Sequence, residues 1–252
     1  MATKKSTSTT TAVARKTASG GAVVSIEAIR AQLQTQAAAV NDRIAPPSGT
    51  AIRVTQDKQF VLPDGTKTPG PLELVIVDFA SANTYYEGTY DPKNIAPPLC
   101  FAIGNEPTKL VASDNSPAKQ AASCAVCPMN QFGSNGDGKA CKNSRVLAVL
   151  PPDATADTPL WLLRTSPTAI KGFDAYVAGV ARMFNLPPIG VVTEVSLDPN
   201  STYPSLRFGN PRPNENLVDH FARQAEAATA LYVEPDVSGY QPAQKKAGAR
   251  RR

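Results

Sequence analysis

Histidine is almost absent from this chain of 252 residues, which contains a single one, His220. A Ser-His-Asp or Cys-His catalytic site would have to use that residue, and no catalytic motif surrounds it. The chain also has no P-loop, no GxGxxG, no HExxH and no recognisable pair of carboxylates. These absences predict that the protein is not an enzyme. We expect His220 to be a surface or half-buried helix residue.

Long apolar runs are missing as well. No stretch approaches the roughly 18–20 apolar residues that are needed to span a bilayer. The first residues include Lys4 and Lys5, but the apolar segment of a signal peptide does not follow them. We therefore expect a cytoplasmic protein with no membrane partner. In a reducing compartment, cysteines serve as metal ligands or free thiols more often than as disulfides.

Acidic residues are scarce at both ends of the chain. Residues 1–24 contain four basic residues and no acidic one, and residues 235–252 contain five basic residues against Asp236. The body between them is slightly acidic. Both ends have too little apolar surface to offset the entropy of ordering. The sequence thus predicts disordered basic tails at 1–24 and 235–252 around a single domain at 25–234. Such tails either contact phosphate non-specifically or are simply solvated termini.

The apolar pattern of the body mixes strands and helices. Pro167 opens a predicted helix, and a last helix runs to about Leu231. The strongest strand patterns are 72–79, 145–150 and 191–197. Residues 97–143 show little periodicity and are predicted to be a long insertion. The order of elements predicts an α+β domain whose β-rich core resembles a partly open barrel of the oligonucleotide-binding type, with flanking helices.

All four cysteines lie within the predicted insertion, at Cys100, Cys124, Cys127 and Cys141. The two residues between Cys124 and Cys127 allow both sulfurs to face one ion. Four thiolates at about 2.3 Å form the usual structural zinc site, which leaves no position for a reacting water. The sequence therefore predicts that zinc orders the loop. An iron–sulfur cluster, which also takes four cysteines, and free redox thiols are the alternatives.

Aromatic and basic residues surround the cysteines in the sequence. Single-strand binders combine cations that follow the phosphates with aromatic faces on which bases stack. The candidate nucleic-acid contacts are Tyr85, Tyr86, Tyr90, Phe101, Phe132, Lys139, Lys142 and Arg145. The alternative interpretation is that the tyrosines pack in a core and the lysines are solvated.

Two blocks of sequence carry a family resemblance. Cys-Ala-Val-Cys-Pro-Met-Asn-Gln-Phe-Gly-Ser134 and Gly138-Lys-Ala-Cys-Lys-Asn143 resemble a group of tailed-bacteriophage proteins that share a CxxCPxNxxGS…GKxC block. The resemblance implies that all four cysteines bind a metal. It also implies binding of single-stranded DNA in phage replication or recombination, in the host cytoplasm, with phage replication proteins as possible partners. Many single-strand binding proteins end in an acidic tail, whereas this chain ends in three arginines.

Two other functions are compatible with the same cysteines. A phage structural or protein-interaction module would share the zinc site without nucleic-acid affinity, and the slightly acidic body favours it. A metal-dependent nuclease would need an open coordination position or a cluster of carboxylates. The sequence shows neither of these features.

Overall fold

The computed structural model describes residues 50–88 and 96–240, together with Ile26. All helices and strands given below belong to the unit Ser48–Arg252. Several predictions fall outside the described residues: the tail at 1–24, the start of the domain at 25–49 apart from Ile26, the contact residue Tyr90, and residues 241–252 of the second tail.

The described strands form one mixed sheet that curls into an open half-barrel. Its strands are β1 (Ala51–Val54), β2 (Phe60–Val61), β3 (Lys67–Thr68), β4 (Leu72–Tyr85), β5 (Cys100–Gly104), β6 (Lys142–Leu150), β7 (Trp161–Arg164), β8 (Val191–Leu197) and β9 (Leu206–Pro213). Their order is β3-β2-β1-β7-β6-β4-β8-β9, and β5 pairs separately with β4. Among these pairs, β1 and β7 are parallel and the others are antiparallel.

The long strand β4 is the centre of the sheet. One of its edges pairs with β6, while the other edge pairs first with β8 and then with β5. The sequence predicted a strand at 72–79 that the β-favouring residues from Thr84 continue, and in the structure β4 runs without a break to Tyr85. The buried polar residues Ser81 and Asn83 interrupt the apolar pattern there. Their backbones nevertheless pair on both sides, which extends the strand.

Helices cover both faces of the sheet. On one face, α1 (Ile170–Phe184) buries Phe173, whose ring meets two other aromatic rings edge-on at centroid distances of 5.1 and 5.0 Å. On the other face, α3 (Gln224–Leu231) buries Ala227 and Leu231 against the sheet. The predicted last helix is divided in two, because the short helix α2 (Leu217–Ala222) ends before α3 begins and Arg223 lies between them. No helix in the described part of the chain is long and apolar enough to cross a membrane.

The expectation that His220 lies at the surface or is half-buried is wrong. The residue belongs to α2 and is fully buried. Its Nδ1 lies 2.8 Å from the carbonyl oxygen of Asn216, and its Nε2 lies 3.0 Å from that of Pro151. The ring therefore joins α2 to the segment that follows β6, which is a structural role.

The predicted insertion at 97–143 is only partly irregular. Its beginning forms β5, which pairs with the end of β4, and its last two residues already belong to β6. Between these strands, residues 105–141 contain one short 3-10 helix, Pro128–Asn130, and hydrogen-bonded turns. The irregular loop is thus attached at both ends to strands that pair with β4.

Candidate metal centre and nucleic-acid interface

The fold brings all four cysteines to one place. Cys100 is the first residue of β5 and Cys141 directly precedes β6, so they flank the end of β4. Cys124 and Cys127 come from the irregular loop between these strands. The four side chains line a single cavity of about 20 Å³, here called the cysteine cavity. A space of this size accepts one water-sized occupant.

The cysteine cavity is a poor environment for uncompensated thiolates. Cys124, Cys127 and Cys141 are buried, Cys100 is half-buried, and none of them forms a disulfide. Burial raises the pKa of the Cys124 thiol. Burial, followed by the charges of the other three cysteines, raises the pKa of Cys141 to about 12. Deprotonated sulfurs at this position therefore require a nearby positive charge.

That the four cysteines lie close together does not by itself show that their sulfurs can coordinate a metal ion. Within residues 50–88 and 96–240, no three His, Cys, Asp or Glu side chains already form a group that could hold a metal ion. Four cysteines nonetheless border the same cavity. Lining a common space requires less than placing sulfurs at bonding distance from one point. Convergence of the thiols is thus a property of the fold, whereas the predicted zinc-held loop is not shown.

Side chains of the CxxCPxNxxGS block stabilise the irregular loop at 105–141, here called the cysteine loop. Asn130 Nδ2 donates a hydrogen bond of 2.8 Å to the carbonyl oxygen of Cys124. The hydroxyl oxygen of Ser134 lies 2.6 Å from the carbonyl oxygen of Gln131 and 3.0 Å from that of Met129, and it accepts from the backbone N–H of Ala140 at 2.9 Å. These bonds engage backbone groups in a stretch that has little regular secondary structure. The polar residues of the block thus explain the path of the loop.

Sequence reasoning missed Asn83, which also lines the cysteine cavity. This buried residue of β4 hydrogen-bonds to the thiol of Cys124, which acts against the pKa increase that burial causes. Its Oδ1 accepts a hydrogen bond of 2.5 Å from Asn143 Nδ2, which orients the amide. A polar residue within an apolar strand was the available signal. Only the pairing of β4 with β6 shows what the residue faces.

Beside the cysteine cavity lies a larger groove of about 810 Å³, here called the basic groove. Four of the predicted nucleic-acid contacts line it, namely Phe132, Lys139, Lys142 and Arg145. The ring of Phe132 is 80% exposed, and Lys139 Nζ lies 5.1 Å from its centroid. Cys141 lines both the groove and the cysteine cavity, so the two sites share a wall.

Helix α1 supplies the opposite side of the basic groove with Lys171 and Asp174. The guanidinium of Arg145 donates two hydrogen bonds to the carboxylate of Asp174, at 3.1 and 2.8 Å. Because that arginine is buried and paired, its charge is already balanced. Lys139, Lys142 and Lys171 form no ion pair with any described residue. The groove therefore carries a net positive charge, to which Lys171 adds a cation that sequence reasoning missed.

The remaining predicted contacts lie elsewhere. Tyr85 is half-buried and lines the cysteine cavity. Phe101 is only 2% exposed, so its ring is not accessible to a base. The exposed ring of Tyr86 borders a second depression of about 470 Å³, here called the Tyr86 concavity, together with Lys142. The structure therefore separates the predicted aromatic cluster into buried and accessible members.

The chemistry of the two sites follows from their groups. Thiolates bind soft and borderline metal ions such as zinc. Ammonium groups attract phosphates, and an exposed aromatic ring can stack on a base. Comparisons with protein-family models, with curated proteins and with solved structures find no match to this chain.

Proposed function

We propose that this protein binds single-stranded DNA in the basic groove, and that a zinc ion held by the four cysteines stabilises the loop that forms one wall of the groove. The main observation behind the proposal is that Cys141 lines both the cysteine cavity and the basic groove. Phe132 and Lys139 stand on the same loop whose thiols converge on one cavity, and Lys142 directly follows Cys141 at the start of β6. Ordering the loop would then order the binding surface.

The charges of the groove support a binding mode with little sequence dependence. Three lysines that form no ion pair within the described part of the chain face it, while the charge of Arg145 is balanced by Asp174. If each lysine neutralises one phosphate, the logarithm of the affinity should fall with the logarithm of salt concentration with a slope of roughly −2. Stacking of one base on Phe132 would add about 1–3 kcal/mol.

The donor set of the cysteine cavity fits a structural metal. Cys100, Cys124, Cys127 and Cys141 would hold the ion, whose charge would offset the cost of burying thiolates. Four thiolates complete the preferred coordination of zinc, so the ion would contribute folding stability rather than chemistry. Elemental analysis of the purified protein distinguishes one zinc per chain from the iron and sulfide of a cluster, and the absence of both metals would refute the metal site.

The proposal includes a fold of the partly open oligonucleotide-binding type and a role in phage replication or recombination. The half-barrel supports the first part. The CxxCPxNxxGS…GKxC block supports the second. Phage replication proteins would then be its partners.

Fluorescence anisotropy with a labelled oligothymidylate at low salt tests the proposal. Phe132→Ala should weaken binding roughly 5- to 150-fold, the equivalent of one stacked base. Tyr203→Ala removes another exposed ring that does not line the groove, and it should leave the affinity unchanged.

A charge series completes the test. Lys139→Gln and Lys142→Gln should each reduce the magnitude of the salt slope by about 0.7. Lys67→Gln, on the exposed strand β3 at the far edge of the sheet, is the matched control. Zinc-loaded wild-type protein that fails to bind the oligonucleotide at low salt would overturn the proposal.

A protein-interaction module is the second candidate. The exposed apolar residues Val218 and Phe221 of α2 favour it, since such residues are typical of interaction surfaces. Intact zinc content without DNA affinity would support this candidate. The nuclease alternative has no comparable support, because the carboxylate of Asp174 in the groove is engaged by Arg145. DNA that stays intact after Mg²⁺ addition would argue against it directly.

A further inference from the structure

Arg164 differs from the other arginine at this end of the sheet. It is the last residue of β7 and lines the Tyr86 concavity. Its Nη1 donates one hydrogen bond, of 2.8 Å, to the hydroxyl of Ser144. In the part of the chain that the structure describes, no carboxylate forms an ion pair with it. Arg145, by contrast, is fully engaged with Asp174.

The setting of the Arg164 guanidinium is unfavourable for a lone cation. Burial lowers its pKa, and Tyr86 acts in the opposite direction. By surface area the residue is nevertheless exposed. Both observations are consistent with a depression, where water reaches the group while protein atoms surround it on most sides. A guanidinium has five N–H donors, of which Ser144 takes one. The remaining donors are available to an anion that enters the depression.

One acidic residue, Glu234, borders the same depression, but it does not bind the guanidinium of Arg164. Glu234 lines the Tyr86 concavity, but its Oε1 accepts from the hydroxyl of Ser113 and its Oε2 accepts from the amide of Asn115 at 2.5 Å. Those bonds hold the carboxylate on the cysteine loop. The anion for Arg164 would therefore come from outside the described chain.

The basic groove and the Tyr86 concavity are adjacent. Lys142 and Asn143 line both of them. The groove lies on the face of the sheet that carries Arg145, whereas the depression lies on the face that carries Ser144. A strand that leaves the groove and passes around Lys142, at the start of β6, would enter the depression. The two depressions thus offer one path in which cations and exposed rings recur, as in proteins that bind extended single strands.

We propose that Arg164 binds a phosphate of the DNA strand where the strand continues from the basic groove into the Tyr86 concavity. The inference rests on the proposed function and adds a second contact site to it. A bidentate guanidinium–phosphate contact suits the planar fork of arginine better than the point charge of lysine. The exposed ring of Tyr86 borders the same depression and is positioned to stack on the adjoining base.

Oligonucleotide length tests this extension. Anisotropy titrations would use oligothymidylates of about 5 and about 15 nucleotides, which lie near the two ends of the range of site sizes of single-strand binding folds. Wild-type protein should bind the longer strand more tightly, since only that strand reaches both depressions. Arg164→Gln should weaken binding of the longer strand roughly tenfold. The same variant should leave binding of the shorter strand within about twofold of wild type.

Three further variants serve as controls for the effect of Arg164→Gln on DNA binding. Arg164→Lys retains the charge without the fork and should recover part of the lost affinity. Ser144→Ala removes the hydrogen bond that orients the guanidinium but keeps the cation, and it should reduce the length-dependent gain less than Arg164→Gln does. Lys67→Gln reports the effect of one positive charge lost elsewhere. Far-UV circular dichroism and zinc content confirm that each variant is folded.

The possible failures are distinguishable. Wild-type protein that binds neither strand overturns the proposed function and this inference with it. Wild-type binding of both strands, with Arg164→Gln affecting neither or weakening both equally, overturns the inference alone. Loss of the length-dependent gain in Lys67→Gln as well would also overturn it, because the effect would then be one of total charge.

Discussion

Asp174 connects the stability of the fold to the charge of the basic groove. Its carboxylate holds the buried guanidinium of Arg145 and is the acidic group lining a surface that three lysines share. Replacing it with asparagine keeps the shape of the side chain and removes its charge. We expect Asp174→Asn to destabilise the protein and, at the same time, to tighten its binding to single-stranded DNA.

The loss of stability follows from the burial of the pair. The side chain of Arg145 is 10% exposed and that of Asp174 is 47% exposed. Breaking a fully buried pair costs about 3–5 kcal/mol, whereas exposed pairs contribute about 0–1 kcal/mol. Because one partner is half-exposed and asparagine can still accept one hydrogen bond, we expect a loss of about 1–2 kcal/mol. In a domain of this size, that corresponds to a decrease of roughly 3–6 °C in Tm.

The gain in affinity follows from the charge of the groove. Removing the carboxylate leaves the positive charge of Arg145 uncompensated beside Lys139, Lys142 and Lys171. One additional neutralised phosphate would steepen the salt slope by up to about 0.7 and tighten binding roughly threefold to tenfold at low salt.

Glu226→Gln is the matched control for this substitution. Glu226 is 49% exposed and pairs with Arg223, whose side chain is 15% exposed, on a part of the chain that does not line the groove. The control makes the same change in net charge at a similar ion pair. It should reduce stability comparably and leave the salt slope unchanged. Thermal denaturation and anisotropy over a salt series measure the two effects. Destabilisation of Asp174→Asn without tighter binding, or equal tightening in both variants, would refute the reasoning.

Three further substitutions test the packing and the loop. Phe173→Ala should cost about 3–5 kcal/mol in urea unfolding, since it removes a fully buried ring, and an unchanged midpoint would refute the assigned core. Tyr176→Phe should cost about 1 kcal/mol by the same measurement, because its hydroxyl lies 2.8 Å from that of the buried Thr193, and a much larger loss would contradict this simple account. Ser134→Ala should cost about 1–2 kcal/mol, because its hydroxyl contacts backbone groups of Met129, Gln131 and Ala140. It should also speed the loss of zinc to a chelator, and unchanged release kinetics would separate the loop from the metal site.

Local features of the chain were readable without coordinates. Pro167 marked the start of the segment that becomes α1, and the apolar run from Leu72 marked the beginning of β4. Both signals depend on neighbours in the sequence, since proline suits a first helical turn and apolar β-formers favour a buried strand. The close Cys124–Cys127 pair was readable for the same reason. The unbroken course of β4 through Ser81 and Asn83 was not, because these polar residues are paired only through distant strands.

The sequence by itself determined which groups are present: four cysteines, an aromatic residue within an irregular segment, and basic residues that follow it. It could not decide which of them are free to act. In the sequence, nothing distinguishes Arg145 from Arg164 as a cation that could bind a phosphate. In the structure, the packing of α1 places Asp174 against Arg145, whereas Arg164 faces the Tyr86 concavity. Similarly, Phe101 is buried by the pairing of β5 while Phe132 stays exposed. Charge and residue type are local properties, whereas burial and ion pairing depend on contacts between distant segments, and only the tertiary structure supplies those.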